Sequence, residues 1–338
     1  MKQPLRGEPR QRLILALLCA CSPAGAPAPE QAPAPEPGPV TISVVGTSDL
    51  HGHLRTLPLL AGHLAGLRKA RAGDGGGVVL VDAGDLFQGT LESSLEEGAT
   101  VVAAYAALGY DAVAIGNHEY DFGPEGARTT AREPGDDPRG ALRARIAAAP
   151  FAFLSTNLRQ ADDGKHPALG LPSTLIDRAG VKIGVVGVST EDTPHTTIAA
   201  NFSGLAIAPL AEAIAAEARS LRARGAAVVV VAAHAGGRCT EFSKPEDPAS
   251  CDPDREIMKV AHALPPGLVD VIVAGHTHQA MAHRVAGIAV VQSYANGIAY
   301  GRVDVRVDSG TGRVIDTTIH APRKLCTCLL YTSPSPRD

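Results

Sequence analysis

Ile42-Ser43-Val44-Val45-Gly46-Thr47-Ser48-Asp49-Leu50-His51 is a Val/Ile-rich run that ends on two metal-binding side chains. A short apolar run bounded by Gly or polar residues reads as a buried strand, and the same pattern returns later in the chain. Val78 to Val81 leads to Gly84-Asp85, and Ala112 to Ile115 leads to Gly116-Asn117-His118-Glu119. Val228 to Val231 precedes Ala233-His234-Ala235, and Val269 to Val273 precedes Gly275-His276-Thr277-His278. In an open α/β sheet, ligands bind beyond the carboxyl ends of the strands. The five blocks are therefore expected to meet on one edge of one sheet, as a two-metal hydrolytic centre.

Around these runs, strands and helices alternate from Thr41 onward. Leu57 to Ala72 and Pro209 to Arg224 carry helical apolar spacing, with Pro209 at a helix start and Gly225 as a stop. Ala99 to Leu108 and Gly140 to Ala149 are shorter helices, and Val181 to Val188 is a further buried strand. After His278 the pattern changes to successive hairpin-joined strands at His283 to Val285, Ile288 to Gln292, Arg302 to Val307 and Val314 to Ile319. Asp308 to Gly312 reads as the turn between the last two. Two packed sheets with helices outside is the architecture this order implies.

The ends differ from the middle. Lys2, Arg6, Arg10 and Arg12 precede the apolar Leu13 to Ala20, which is the layout of a targeting segment. Leu18-Cys19-Ala20-Cys21 resembles a bacterial lipobox, which implies a signal over 1–21 and a lipid anchor to the membrane at Cys21. Ordinary cleavage after Ala24-Gly25-Ala26 is the alternative. Residues 22–40, rich in Pro and Ala, read as an extended tether, 41–322 as the catalytic domain, and 323–338 as a tail without function. Of six cysteines, Cys239 and Cys251 flank a polar insert and are expected to pair in an oxidising compartment. With 31 basic against 35 acidic residues and no basic stripe, a nucleic-acid polymer is not the expected partner.

Hard divalent ions take oxygen ligands, while imidazole suits zinc, manganese and iron; this set offers both. Asp49 and His51, two apart on the turn leaving the first run, can reach one ion. Asp85 is the expected bridging carboxylate. Asn117, His234 and His276 complete a second ion, and His278 returns to the first. Two ions about 3.5–4 Å apart can clamp an in-line displacement and supply hydroxide at neutral pH. Their positive charge, only partly returned by Asp49, Asp85 and a hydroxide, suits a phosphate dianion. His118 is not needed as a ligand and is free to stabilise or protonate a leaving oxygen. Asp121 is placed to orient it, with Glu119 the lesser choice for that role. A lone buried His is more often a core residue, and Asn117 alone could cap a helix. Five such coincidences at strand ends make those readings poor.

The order Asp-x-His, Gly-Asp, Gly-Asn-His-Glu, His, Gly-His-x-His resembles the calcineurin-like metallophosphoesterases. Ser48 to His53, Asp82 to Asp85 and Gly116 to Gly123 resemble more narrowly their bacterial periplasmic 5′-nucleotidase branch. The likeness covers about Thr41 to His320. It implies an α/β fold, a four-layer α/β/β/α sandwich with two mixed sheets. It also implies two divalent metal ions (zinc, manganese or iron), one held by Asp49, His51, Asp85 and His278, the other by Asp85, Asn117, His234 and His276. His118 and Asp121 match the family's catalytic pair. The implied activity is removal of phosphate from nucleoside 5′-monophosphates or related nucleotides, in the periplasm or on an outer-membrane lipoprotein. Enzymes of this branch usually carry a second domain that stacks the base and grips the phosphate; nothing here matches it, so a fragment would be expected to lose nucleotide preference. Cyclic-phosphodiester or sulfur-ester hydrolysis on the same centre, and a non-catalytic exported binding lipoprotein, are the competing expectations.

Overall fold

The Val/Ile runs form strands whose alternate side chains serve two different cores. The computed structural model describes residues 38–325; the expected signal, the lipobox with Cys21, most of the tether and the tail from 326 lie outside the described residues. In chain order the strands are β1 (Pro39–Thr47), β2 (Gly77–Asp82), β3 (Ala112–Ala114), β4 (Ala152–Leu154), β5 (Leu158–Gln160), β6 (Ser173–Arg178) and β7 (Val181–Ser189). They continue as β8 (Leu205–Ile207), β9 (Val228–His234), β10 (Val271–Ala274), β11 (Ala280–Val285), β12 (Ile288–Ser293), β13 (Ala299–Asp308) and β14 (Val314–Lys324). Two six-stranded sheets result, in the orders β14-β13-β1-β2-β3-β4 and β11-β12-β10-β9-β7-β6, with β5 and β8 as a separate pair. Each large sheet is mixed. Parallel pairs fill the centre, β1 with β2 and β9 with β10 among them, and antiparallel partners such as β13 and β11 lie toward the edges.

Side chains two apart on a strand share a face, and the packing follows that period. Val44, Val79 and Val81 of the first sheet pack with Val185, Val230 and Val271 of the second. The intervening Val45 and Leu80 turn outward, onto Leu60 and Leu64 of the helix Leu57–Gly73 and Tyr105 of the helix Ala99–Leu108. Val229 and Val231 do the same beneath Ile214 and Leu221 of Leu210–Ala223 and Ile257 of Glu256–Ala263. Each buried Val or Ile is worth about 1.5–3 kcal/mol over its exposed state, so burial on both faces is what holds the strands in place. The layers are helix, sheet, sheet, helix.

Two expectations need correction. The five site-bearing strands do not share one sheet: β1, β2 and β3 belong to the first, β9 and β10 to the second. Nor are the last four strands a run of consecutive hairpins. β11 and β12 close the second sheet, and the chain then crosses to the first, where β13 pairs with β1. Hydrophobic alternation marks a strand but not the sheet that receives it. β14 also runs two residues past the expected boundary at 322, and Leu325 after it is buried, donating its N–H to Ile298 O at 2.8 Å.

Val303 and Val305 of β13 face the second sheet, and Asp304 between them turns to the opposite face, where it gathers three neighbours. It accepts from Ser43 Oγ on β1 at 2.6 Å and from Arg302 Nε at 2.8 Å, and it lies 2.9 Å from His320 Nε2 on β14. Among the described residues, no helix is long and apolar enough to cross a membrane.

Candidate metal centre

The chain leaves β1 and β2 in two turns that bond to each other. Asp49 N–H donates to Gly84 O at 2.9 Å, and His51 N–H donates to Asp85 O at 3.0 Å. The loop after β10 joins from the other sheet, where His276 N–H reaches Asp49 Oδ1 at 2.8 Å. These turns force an uncommon backbone. Asp49, His51, Asp85, His276 and His278 all have left-handed φ, between 48° and 72°. Such a conformation is uncommon outside Gly and is kept only where the surroundings enforce it. Here it aims the side chains inward. Gly116 has a related reason, since a Cβ there would overlap the Asp85 carboxylate and backbone nitrogen.

The donor atoms form two groups linked through Asp85, which belongs to the second and meets His51 of the first in a further set with His118. In the first, ligand atoms of Asp49, His51 and His278 lie within 4.8 Å of one another. His51 Nδ1–H donates to Gln88 O at 3.0 Å, which leaves its Nε2 as a lone pair 3.1 Å from His278 Nε2 and 3.9 Å from Asp85 Oδ2. In the second, Asp85, His234 and His276 converge within the same limit. His234 Nδ1–H donates to Ala83 O at 2.8 Å, so Nε2 faces Asn117 Oδ1 at 2.9 Å and Asp85 Oδ2 at 3.1 Å. Asn117 is turned to present that oxygen by its own Nδ2, which donates to Thr196 O at 2.9 Å. Metal-bound imidazoles characteristically have their second nitrogen fixed in this way by a carbonyl or carboxylate. In both groups electron pairs point at one another across about 3 Å, an arrangement that only a proton or a cation between them relieves.

The field has the same sign. Asp49, Asp85 and Glu119 are all buried together. Burial, reinforced by Asp85, pushes Asp49 up to about 8, and burial with Asp85 pushes Glu119 up to about 7. Burial opposes a charge on His234, but Asp85 outweighs it and raises the imidazole to about 10. Burial likewise opposes the Asp85 charge, yet His234 holds that carboxylate well below its ordinary range. Burial and then His234 drive His276 down to about 4, where it is a neutral lone pair. A cluster in which burial disfavours the charges of Asp49 and Glu119, and in which Asp85 stays charged against a proton on His234, is short of positive charge, and divalent ions fit that deficit.

His118 stands beside both groups. Its backbone N–H donates to Asp85 Oδ1 at 2.9 Å, and its ring lies 5.1 Å from that of His51. Its Nδ1 is 2.5 Å from Asp121 Oδ2, while Asp121 Oδ1 accepts from Thr197 Oγ1 at 3.0 Å. The carboxylate thus fixes one ring nitrogen and leaves Nε2 free.

Asp49, His51, Asp85, Asn117, His118, Asp121, His234, His276 and His278 therefore meet at the seam between the two sheets. Glu119 does not take the orienting role once open to it. Its carboxylate turns away from His118 and accepts the backbone N–H groups of Gly116, Asp85, Leu86 and Phe87 at 2.6, 2.9, 2.7 and 3.2 Å. Asp82, the first residue of a block that carries the resemblance, had no role assigned to it from the sequence. Buried at the end of β2, it accepts from Thr47 Oγ1 at 2.6 Å, Tyr105 Oη at 2.8 Å and Gly84 N–H at 2.8 Å, and so shapes the turn that carries Asp85. An acid at the last position of an apolar strand was the available signal. His53 lines a cleft with Arg55 and Thr90 that contains none of these donors.

Residues 42–280 match the calcineurin-like phosphoesterase family. Protein UshA of Escherichia coli is 28% identical over 302 residues, which is 81% of this chain and 50% of UshA. A 5′-nucleotidase of Diplobatis ommata is 30% identical over 255 residues, covering 69% of this chain and 38% of that protein. The crystal structure of a 5′-nucleotidase precursor from Thermus thermophilus superimposes with a TM-score of 0.61 at 24% identity, over 84% of this chain and 54% of that one. The chain thus spans about half the length of these relatives. Its strands, its paired carboxylate and imidazole turns, and the extent of the match agree, and the chain belongs to the calcineurin-like phosphoesterase family.

Proposed function

We propose that this chain hydrolyses phosphate monoesters, with nucleoside 5′-monophosphates and related nucleotides as its substrate class, at a two-metal centre in the cell envelope. The observation that carries the reading is the position of Asp85, whose Oδ2 faces His51 on one side and His234 on the other. One carboxylate can then serve two ions. Asp49, His51, Asp85 and His278 would hold one, and Asp85, Asn117, His234 and His276 the other; zinc, manganese and iron all suit these donors. When bound, such ions supply positive charge for phosphoryl oxygens and a water of lowered pKa.

The remaining work falls to the chain's own groups. His118, with Nδ1 tied to Asp121, has Nε2 available to donate to the departing oxygen. Asp121 keeps the ring in that tautomer. Glu119 fixes the amides on either side of Asp85, so the shared carboxylate would be held ready for its ions without first being reordered. The nucleotide preference is supported by kinship with UshA and the 5′-nucleotidases. Export is supported by the amino-terminal sequence pattern and by the Cys239–Cys251 disulfide, which suits an oxidising compartment; a lipid on Cys21 is the anchor that pattern suggests.

The test is hydrolysis by the purified, metal-loaded chain, read as phosphate release from AMP and p-nitrophenyl phosphate, as ring opening of a cyclic nucleotide, and as sulfate release from a thiosulfate ester. Hydrolysis of the two monoesters in preference to the cyclic and sulfur esters is expected. Exclusive cleavage of the cyclic or sulfur ester would replace the proposed substrate class. Tight nucleotide binding without turnover would make the chain a binding protein.

A further inference from the structure

Away from the strands that carry the metal centre, His283 of β11 and Cys239 and Cys251 of the loop that packs on it form a separate cluster. One sulfur from each cysteine and one ring nitrogen lie within 4.8 Å of one another. The sulfurs are joined as a disulfide, and a staple alone would account for the two cysteines. It does not account for His283. That side chain is fully buried on β11, with Nδ1 3.4 Å from Cys251 Sγ. Its Nε2 has no partner, and among the described residues neither ring nitrogen meets an oxygen or another nitrogen. Buried polar atoms normally have a partner, so an imidazole left with only sulfur for company calls for a reason.

We propose that Cys239, Cys251 and His283 constitute a redox-gated site for a thiophilic cation of the zinc class, closed as the disulfide and opened by a two-electron reductant. Two thiolates and one imidazole are a typical soft-ion donor set, with a fourth position left for water. The backbone is already arranged for it. Cys239 and Cys251 face each other across an isolated antiparallel bridge, their Cα atoms 4.0 Å apart. Cys239 N–H donates to Ala280 O at 2.9 Å, which ties it to the strand that carries His283. Arg284, the next residue, ties the insert down from the other side by donating its N–H to Pro245 O at 2.7 Å. At a metal–sulfur distance of about 2.3 Å the two sulfurs need stand only about 3.8 Å apart, which side-chain rotation supplies without moving those Cα atoms. Burial keeps His283 below its ordinary range and therefore neutral, as a ligand must be. Glu241 and Asp247 add negative charge nearby.

The chemistry balances. A phosphine reductant gives two electrons to the sulfur–sulfur bond and leaves as its oxide, with water supplying the oxygen and two protons to the thiols. Binding of a divalent ion then releases those two protons and forms two metal–sulfur bonds and one metal–nitrogen bond.

Cobalt(II) tests this without reference to activity, because no sulfur belongs to the donors of the first centre. The full chain carries Cys19, Cys21, Cys326 and Cys328 as well, so all measurements use the chain with these four changed to Ser. Titration after phosphine reduction should produce a near-ultraviolet thiolate-to-cobalt band and one more bound equivalent than the unreduced sample takes. The unreduced sample is the same folded polypeptide and should show no band. His283→Gln should weaken the band's half-saturation by at least about tenfold, within the 10–100-fold usual for loss of support at a metal site, and Cys251→Ser should abolish it. Absence of a reduction-dependent band would overturn the proposal, as would an unchanged titration in both His283→Gln and His283→Ala.

Discussion

Glu119 holds Asp85 by its backbone: the buried carboxylate accepts the Asp85 N–H at 2.9 Å while also gripping Gly116 N–H at 2.6 Å. The turn bearing the shared carboxylate is thereby fixed to the turn bearing Asn117 and His118. Glu119→Gln retains the shape but puts an amide donor where one acceptor stood. It should leave buried N–H groups unpaired, at about 1–3 kcal/mol each, and weaken metal retention about 10–100-fold. Denaturant unfolding and chelator competition measure the two effects; an unchanged protein on both counts contradicts the role.

Asp85→Ala should strip both ions, because one carboxylate faces both donor groups. Metal analysis after dialysis reads this directly. Retention of a full pair would mean that Asp85 is not shared, and loss of only one would assign it to a single group.

His118→Gln should keep its metal and lose turnover by about 10²–10⁴, as is usual for a general acid–base group. Asp121→Asn should lose less, since it acts on His118 rather than on the ester. Steady-state kinetics with parallel metal counts check both. A metal-depleted His118→Gln chain would make His118 a ligand instead.

Asp304 gives a pH-dependent outcome far from that chemistry. Burial opposes its charge, but hydrogen bonds from His320, Arg302 and Ser43 outweigh burial and hold it well below the usual carboxylate range. A depressed acid contributes stability that is present above its unfolded value, near 4, and is lost as pH falls toward the folded one. Asp304→Asn should therefore be less stable than the parent near pH 5, with the margin shrinking below about pH 4. Urea midpoints across that range test it; a margin that persists into stronger acid would show that the pairing is not electrostatic.

Much of this was readable from residue order. The Val/Ile runs of β1, β2, β3, β9 and β10 announce themselves through length and branching, and the blocks that follow them carry the donors. What the order could not reveal is partnership. Val44 and Val230 look alike as text, yet they sit in opposite sheets, and only the pairing of β13 with β1 decides where the last strands go. The roles of Glu119 and Asp82 were hidden for a related reason: their partners are mostly backbone amides and hydroxyls, groups that every stretch of chain contains. Nothing local in the sequence marks the approach of His283 to a cysteine 32 positions away.

The division of the donors between two sheets bears on more than catalysis. Asp49, Asp85 and Asn117 hang from one slab of the sandwich and His234, His276 and His278 from the other, so any cation they share rivets the slabs together. A ligand that binds only the native state adds about 4 kcal/mol at a thousandfold excess over its dissociation constant. Heat tolerance of the whole domain should then track the supply of dissolved metal, and starvation for it would threaten the protein's survival as well as its rate.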